Sequence, residues 1–154
     1  MNAYNVFTLK LVVDNYPLKR ITDLDGGKTW DVRRIEIGGK KYSLNDIENV
    51  ILRPRFKDAR IHFGINCAAK SCPPLLNQAF SAENVQSLLT VRTRKFIRSS
   101  ANELAENQVT VSKIFDWYAA DFGDLPTFLN RYSKVKIAAA ATVLFKEYDW
   151  SLNE

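Results

Sequence analysis

RIHFGIN, residues Arg60 to Asn66, decides the fold class. Ile61, Phe63 and Ile65 alternate with His62, Gly64 and Asn66 at the two-residue period of a strand. This reading puts the apolar trio on one face and His62 on the other. A strand here, among segments that mostly read at helical period, predicts an α+β protein: one compact domain in which several short helices surround a small, mainly antiparallel sheet.

Working outward, Ala3 to Tyr16 places Val6, Leu9, Leu11, Val12 and Val13 on a roughly helical stripe, closed by Pro17. Arg34 to Ser43 reads as a hairpin, because Ile35 and Ile37 alternate with charged neighbours and Gly38-Gly39 allows the positive φ of a tight turn. Ser43 predicts an N-cap with Asp46 as its capping-box partner, and Leu44, Ile47, Val50 and Ile51 form the face of a helix that Arg53-Pro54 ends. Downstream, Ser81 caps a helix carrying Val85, Leu88, Leu89, Phe96 and Ile97, and a short strand follows at Val109 to Val111. Asp116 to Phe122 and Asp124 to Tyr132 read as aromatic-rich helices separated by Gly123, with Pro126 in the first turn of the second. Ser133 to Trp150 is open between helical turns at its alanines and a terminal strand at Val143 to Tyr148.

The chain has 154 residues, 46% of them hydrophobic, enough for one core. Its longest apolar run, Ile137 to Phe145, is bounded by Lys136 and Lys146 and falls short of the roughly 20 residues a membrane helix needs. A soluble domain with no membrane span is expected. The net charge of +5 is spread among 17 acids. No stacking-aromatic signature of a nucleic-acid-binding module accompanies the basic clusters Arg53, Arg55, Lys57, Arg60 and Arg92, Arg94, Lys95, Arg98, so nucleic acid is not expected as a partner. Two cysteines are too few for a disulfide-stapled secreted scaffold.

Chemistry concentrates in Arg60 to Leu75, RIHFGINCAAKSCPPL, which holds the only histidine, His62, and both cysteines, Cys67 and Cys72. A thiol nucleophile needs a base to make its thiolate, and an imidazole is suited to that. Strand parity sends Cys67 to the face opposite His62, whereas Cys72 lies beyond a turn and can fold back, so Cys72 is the candidate nucleophile and His62 its base. Asn66 or Asp121 would orient the imidazole. The prolines after Cys72 remove backbone N–H groups that an oxyanion hole would use. The same residues could instead bind zinc with an aspartate such as Asp116, Asp121 or Asp149, form a disulfide, or serve as a satisfied core histidine and two small buried thiols. A second constellation is polar and aromatic: Asn2, Tyr4 and Asn5, then Trp117, Tyr118 and Asp121, then Tyr148, Asp149 and Trp150. Asn2, Asn5, Cys67, Trp117 and Asp149 are the candidate binding residues among these. No metal or cofactor is assigned.

Several of these motifs, in the same order, carry a resemblance: NAYN at Asn2 to Asn5, GGKKYSLNDIENVILR at Gly38 to Arg53, RIHFGINCAAKSCPPL, KIFDWYAADFG at Lys113 to Gly123 and YDWSLN at Tyr148 to Asn153. Together they resemble the domain of unknown function 547 family along essentially the whole chain. The family pattern begins with a longer Phe-Trp-Ile-Asn-Ala-Tyr-Asn preceded by further helix, and Met1 stands where its isoleucine would be, which implies that the N-terminal part is missing. Bacterial members are often exported, which implies a periplasmic or cell-envelope location if a signal peptide precedes, and plant members accompany coiled-coil segments. A histidine near a cysteine also resembles papain-like and transglutaminase-like folds at the level of fold alone. The leading expectation is a binding module for a protein or small-molecule ligand, with a structural His/Cys loop. Its rival is a Cys/His hydrolase or acyltransferase.

Overall fold

The first helix, α1 (Asn2–Asp14), buries Tyr4, Thr8 and Leu11, spaced i, i+4, i+7. Val6, Leu9 and Val13, expected on the buried stripe, are instead 60%, 52% and 66% exposed. The helix is apolar on two sides, so hydropathy does not choose between them; Tyr4 and Thr8 win because they face the following elements. The computed structural model describes residues 1–153 and is α+β as expected.

β1 (Ile35–Ile37) and β2 (Lys40–Tyr42) pair antiparallel through Gly38 and Gly39, both at positive φ (59° and 74°), the hairpin expected. The capping box is also present: Ser43 Oγ accepts from the Asp46 N–H at 2.9 Å, and the Ser43 N–H donates to Asp46 Oδ2 at 2.9 Å. The helix it starts is a π-helix over Asp46–Leu52, which runs into α2 (Arg53–Phe56). Pro54 was expected to stop the chain at Arg53. It sits instead in the first turn of α2, where its missing N–H is not needed, and Lys57 at φ 48° ends the run.

RIHFGIN is not a strand. Ala59–Phe63 forms a 3-10 helix, capped by Asp58, whose side chain accepts from the Arg60 N–H at 3.0 Å. The alternation has no solvent face, because every residue from Ile61 to Asn66 is buried. Phe63 joins one cluster with Phe96, Phe115, Phe122 and Phe128, whereas Ile61 and Ile65 join another with Tyr4, Ile35, Leu44, Ile47 and Leu52. The segment thus runs between two halves of the core and packs on both sides. Gly64 permits this, since an added Cβ would lie 2.9 Å from Leu89 Cδ2.

α3 (Val85–Ile97) starts later than expected, because Ser81 donates its N–H to Asn84 Oδ1 in a turn that precedes the helix. The second sheet has the order β3 (Glu103–Leu104), β4 (Gln108–Val111), β5 (Thr142–Phe145). β3 and β4 are antiparallel, while β4 and β5 are parallel with Val109 opposite Val143. The terminal segment therefore resolves as a strand, preceded by a turn at its alanines. Between β4 and β5 lie α4 (Ile114–Trp117), α5 (Ala119–Phe122) and α6 (Leu125–Asn130), with Gly123 at φ 64° closing α5 and Asp124 capping α6. This arrangement brings α4 and α5 to the 3-10 helix and so to His62.

Candidate ligand cavity and its polar floor

His62 is held from two sides. Its side chain is 1% exposed, and Nε2 lies 2.7 Å from Asp121 Oδ2 at the end of α5. The ring stacks on Tyr118, with centroids 3.9 Å apart and planes at 26°. Asp121 in turn accepts from Arg53 Nε at 2.6 Å and Arg53 Nη2 at 3.0 Å. This bidentate pair, aided by His62, holds the Asp121 carboxyl below its usual range. A carboxylate on Nε2 assigns the proton there. On the other side, His62 Nδ1 has no hydrogen-bond partner and faces Glu48 Oε1 at 3.5 Å. Glu48 is itself 4% exposed, on the π-helix. The one imidazole of the chain is therefore enclosed between two carboxylates.

The thiols occupy the next layer. Cys72 is buried, and its sulfur accepts from the Cys67 N–H at 3.0 Å. Cys67 is partly buried, with Sγ 3.2 Å from Tyr148 Oη. Both thiols are free. A hydrogen bond from Cys72, and then one from Tyr148, pull the Cys67 thiol below its ordinary value, whereas burial pushes Cys72 well above it. The sulfurs are engaged by each other, Tyr148 and the backbone, and not by His62. The preference for Cys72 over Cys67 rested partly on a strand parity that the 3-10 helix removes.

Asn66 and Asn5 shape the loop and do not reach the imidazole. Asn66 Nδ2 donates to the Pro73 carbonyl at 2.8 Å, and Asn66 Oδ1 accepts from the Ala68 N–H at 2.8 Å. Asn5 bridges the Gly64 carbonyl and the Asn66 N–H, both at 2.9 Å. Asn2 pairs with both backbone groups of Phe80. Asp149 is exposed and accepts from Ser151.

Above this floor lies a cavity of about 270 Å³. Tyr4, Glu48, His62, Cys67, Cys72 and Tyr118 line it below, and Trp30, Trp117, Tyr148 and Trp150 wall it. Those four rings touch in series: Trp117 lies 4.8 Å from Tyr148 and 5.6 Å from Trp150, and Trp150 lies 5.7 Å from Trp30. Their planes meet at 28° to 67°, which bends the wall. All three tryptophans of the chain are in it. Asp31 and Glu48 are the lining carboxylates, and no lysine or arginine is among the lining residues described. Among the described residues no group of three His, Cys, Asp or Glu side chains converges to hold a metal ion.

The family described as a protein of unknown function, DUF547, matches residues 1–97, which contain α1, Glu48, His62 and both cysteines. The chain belongs to the DUF547 family. No curated protein and no solved structure matches it. Within this DUF547 chain the matched residues supply Tyr4, Glu48, His62, Cys67 and Cys72 of the floor and Trp30 of the wall, while Tyr118 of the floor and Trp117, Tyr148 and Trp150 of the wall come from beyond them.

Of the residues singled out in the sequence, His62, Asp121, Cys67, Cys72 and Trp117 assemble at this cavity or directly behind it; Asn2, Asn5, Asn66 and Asp149 do not line it. Sequence reasoning missed Glu48, Arg53 and Trp30 as site residues. Glu48 had a legible signal. It stands at i+4 from Leu44 and i−3 from Ile51, a charged residue inside an apolar helical face. Trp30 had none. Among the described residues no helix is long and apolar enough to cross a membrane.

Proposed function

We propose that this DUF547 domain is a binding module whose aromatic cavity takes a small organic cation, an alkylated ammonium group. The observation that carries the reading is the lining: three tryptophans and three tyrosines with two carboxylates and no cationic arginine or lysine, in a chain of net charge +5. Aromatic faces attract cations through the ring quadrupole, most strongly where water is excluded. Glu48 adds a nearly buried carboxylate that faces the unbonded His62 Nδ1 at 3.5 Å, so a ligand cation would supply its counter-charge. The cavity is at the small end for ligand sites, which suits a headgroup and not an extended molecule. His62 and Asp121 then act as scaffold, fixing Tyr118 and the floor.

The test is calorimetric titration with choline and with 3,3-dimethylbutan-1-ol, which replaces the charged nitrogen by carbon. Choline is expected to bind at least tenfold more tightly, and Glu48→Gln to remove most of that preference. Equal binding of the two would leave a neutral-ligand cavity. Binding of neither would contradict the reading.

Cys67 favours a second reading, thiol chemistry in the same cavity, because it is the more acidic thiol and has Tyr148 Oη within 3.2 Å. It is the weaker of the two, since both ring nitrogens of His62 face carboxylates and no imidazole serves the sulfur.

A further inference from the structure

A second cavity, of about 400 Å³, meets the first at Cys72 and has the opposite character. At its wall stands Arg92 of α3, which is 6% exposed. Its Nη2 donates to the Pro74 carbonyl, a neutral acceptor, and its Nε has no partner. Among the described residues no carboxylate answers its charge, and burial pulls the guanidinium down from its ordinary value. A buried cation without a counter-charge is destabilising and is retained where something else supplies that charge.

The other cations are arranged differently. Lys146 is held by Glu103 at 2.7 Å and by the Ser100 carbonyl at 2.9 Å, and Lys70 lies 4.0 Å from Asp149. Lys95, one turn beyond Arg92 on the same helix, lines the cavity without an acid partner among the described residues. Glu147, the one acidic lining residue, is exposed. Cations near a helix C-terminus can be explained by the helix dipole, and that suffices for Lys95 alone. It does not account for Arg92, whose guanidinium reaches the Pro74 loop and not the terminal carbonyls of α3.

We propose that this cavity binds a small phosphate-type oxyanion, held by the Arg92 guanidinium with Lys95 as the second cation. A planar guanidinium at the cavity wall, with its donors in a fixed fork, has the geometry that such an anion accepts. The site is independent of the organic-cation reading of the aromatic cavity: ligand charge, helix and test all differ.

Scanning calorimetry with inorganic phosphate against sodium chloride at equal ionic strength decides it. The wild-type Tm is expected to rise by roughly 5 °C towards saturating phosphate and not with chloride. Arg92→Met is expected to raise the Tm in phosphate-free buffer, because it removes an uncompensated buried charge, and to abolish the phosphate increment. Lys95→Gln, at an exposed position, should leave the phosphate-free Tm unchanged and weaken phosphate binding about tenfold, which decides the matter should the Arg92 variant not fold. No phosphate increment in the wild type, or an increment that survives Arg92→Met, would overturn the proposal. So would an Arg92→Met chain of lowered stability that responds to phosphate as the wild type does. Tighter Arg92-dependent binding to a single-stranded oligonucleotide or to anionic vesicles than to inorganic phosphate would assign the site to a macromolecular phosphate and overturn the small-anion form.

Discussion

The two thiols lie five residues apart and differ in chemistry because they differ in surroundings. Cys67 receives hydrogen bonds from Cys72 and Tyr148 that favour its thiolate, while Cys72 is buried. Iodoacetamide labelling followed by peptide mass spectrometry should modify Cys67 ahead of Cys72 and already below pH 8.5, the ordinary range for a thiol. Faster labelling of Cys72 would contradict this order. The difference was not legible in the sequence, where parity along a supposed strand turned Cys67 away from His62 and a following turn let Cys72 fold back towards it. His62 itself was legible as a residue to watch, and so was Asp121, but not that a second carboxylate, Glu48, would close the other ring nitrogen. Asp121→Asn keeps the shape and replaces a charged acceptor with a neutral amide. It should lower stability by roughly 1–3 kcal/mol in urea melts, and an unchanged midpoint would show that the Arg53–Asp121–His62 chain is dispensable.

At the scale of elements, several local signals that depend on a few neighbouring residues were read correctly. The Gly38-Gly39 turn, the Ser43–Asp46 capping box and Gly123 at the end of α5 each follow from backbone stereochemistry that sequence alone specifies. RIHFGIN failed as a strand because its alternation reports two buried sides and not one buried and one wet. The face of α1 failed for a related reason, since apolar residues on both sides leave the choice to tertiary contacts. The central position of the 3-10 helix predicts that truncations on either side are costly. Phe63→Ala should lose about 3–5 kcal/mol and Ile61→Ala about 2–5 kcal/mol by denaturant unfolding. Little loss at one of the two would mean that one half of the core does not depend on this segment.

For the whole molecule, charge is organised more finely than the net value of +5 suggests. One cavity carries carboxylates among aromatics, and the other an arginine that no carboxylate pairs among the described residues. Two carboxylates that line neither cavity set a pH dependence. Hydrogen bonds from Arg53 depress Asp121, and hydrogen bonds from Arg33 and the Ser43 N–H depress Asp46. A carboxyl whose folded pKa lies below its unfolded value of about 3.9 contributes stability that is present above that value and is lost as pH falls through the folded one. Tm should therefore hold from neutral pH to about pH 5 and fall below about pH 4. Arg53→Met should flatten that fall, and an identical acid profile would remove the Arg53 pair from the account.

The binding reading is tested most directly at the wall of the aromatic cavity, because all three tryptophans of the chain stand there. Their indole N–H signals in a nitrogen-15 correlation spectrum report on the cavity and on little else. Titration with choline should shift all three signals saturably and together, with the shifts requiring higher choline concentrations in Glu48→Gln. Signals that stay fixed, or that move equally with 3,3-dimethylbutan-1-ol, would contradict recognition of an organic cation.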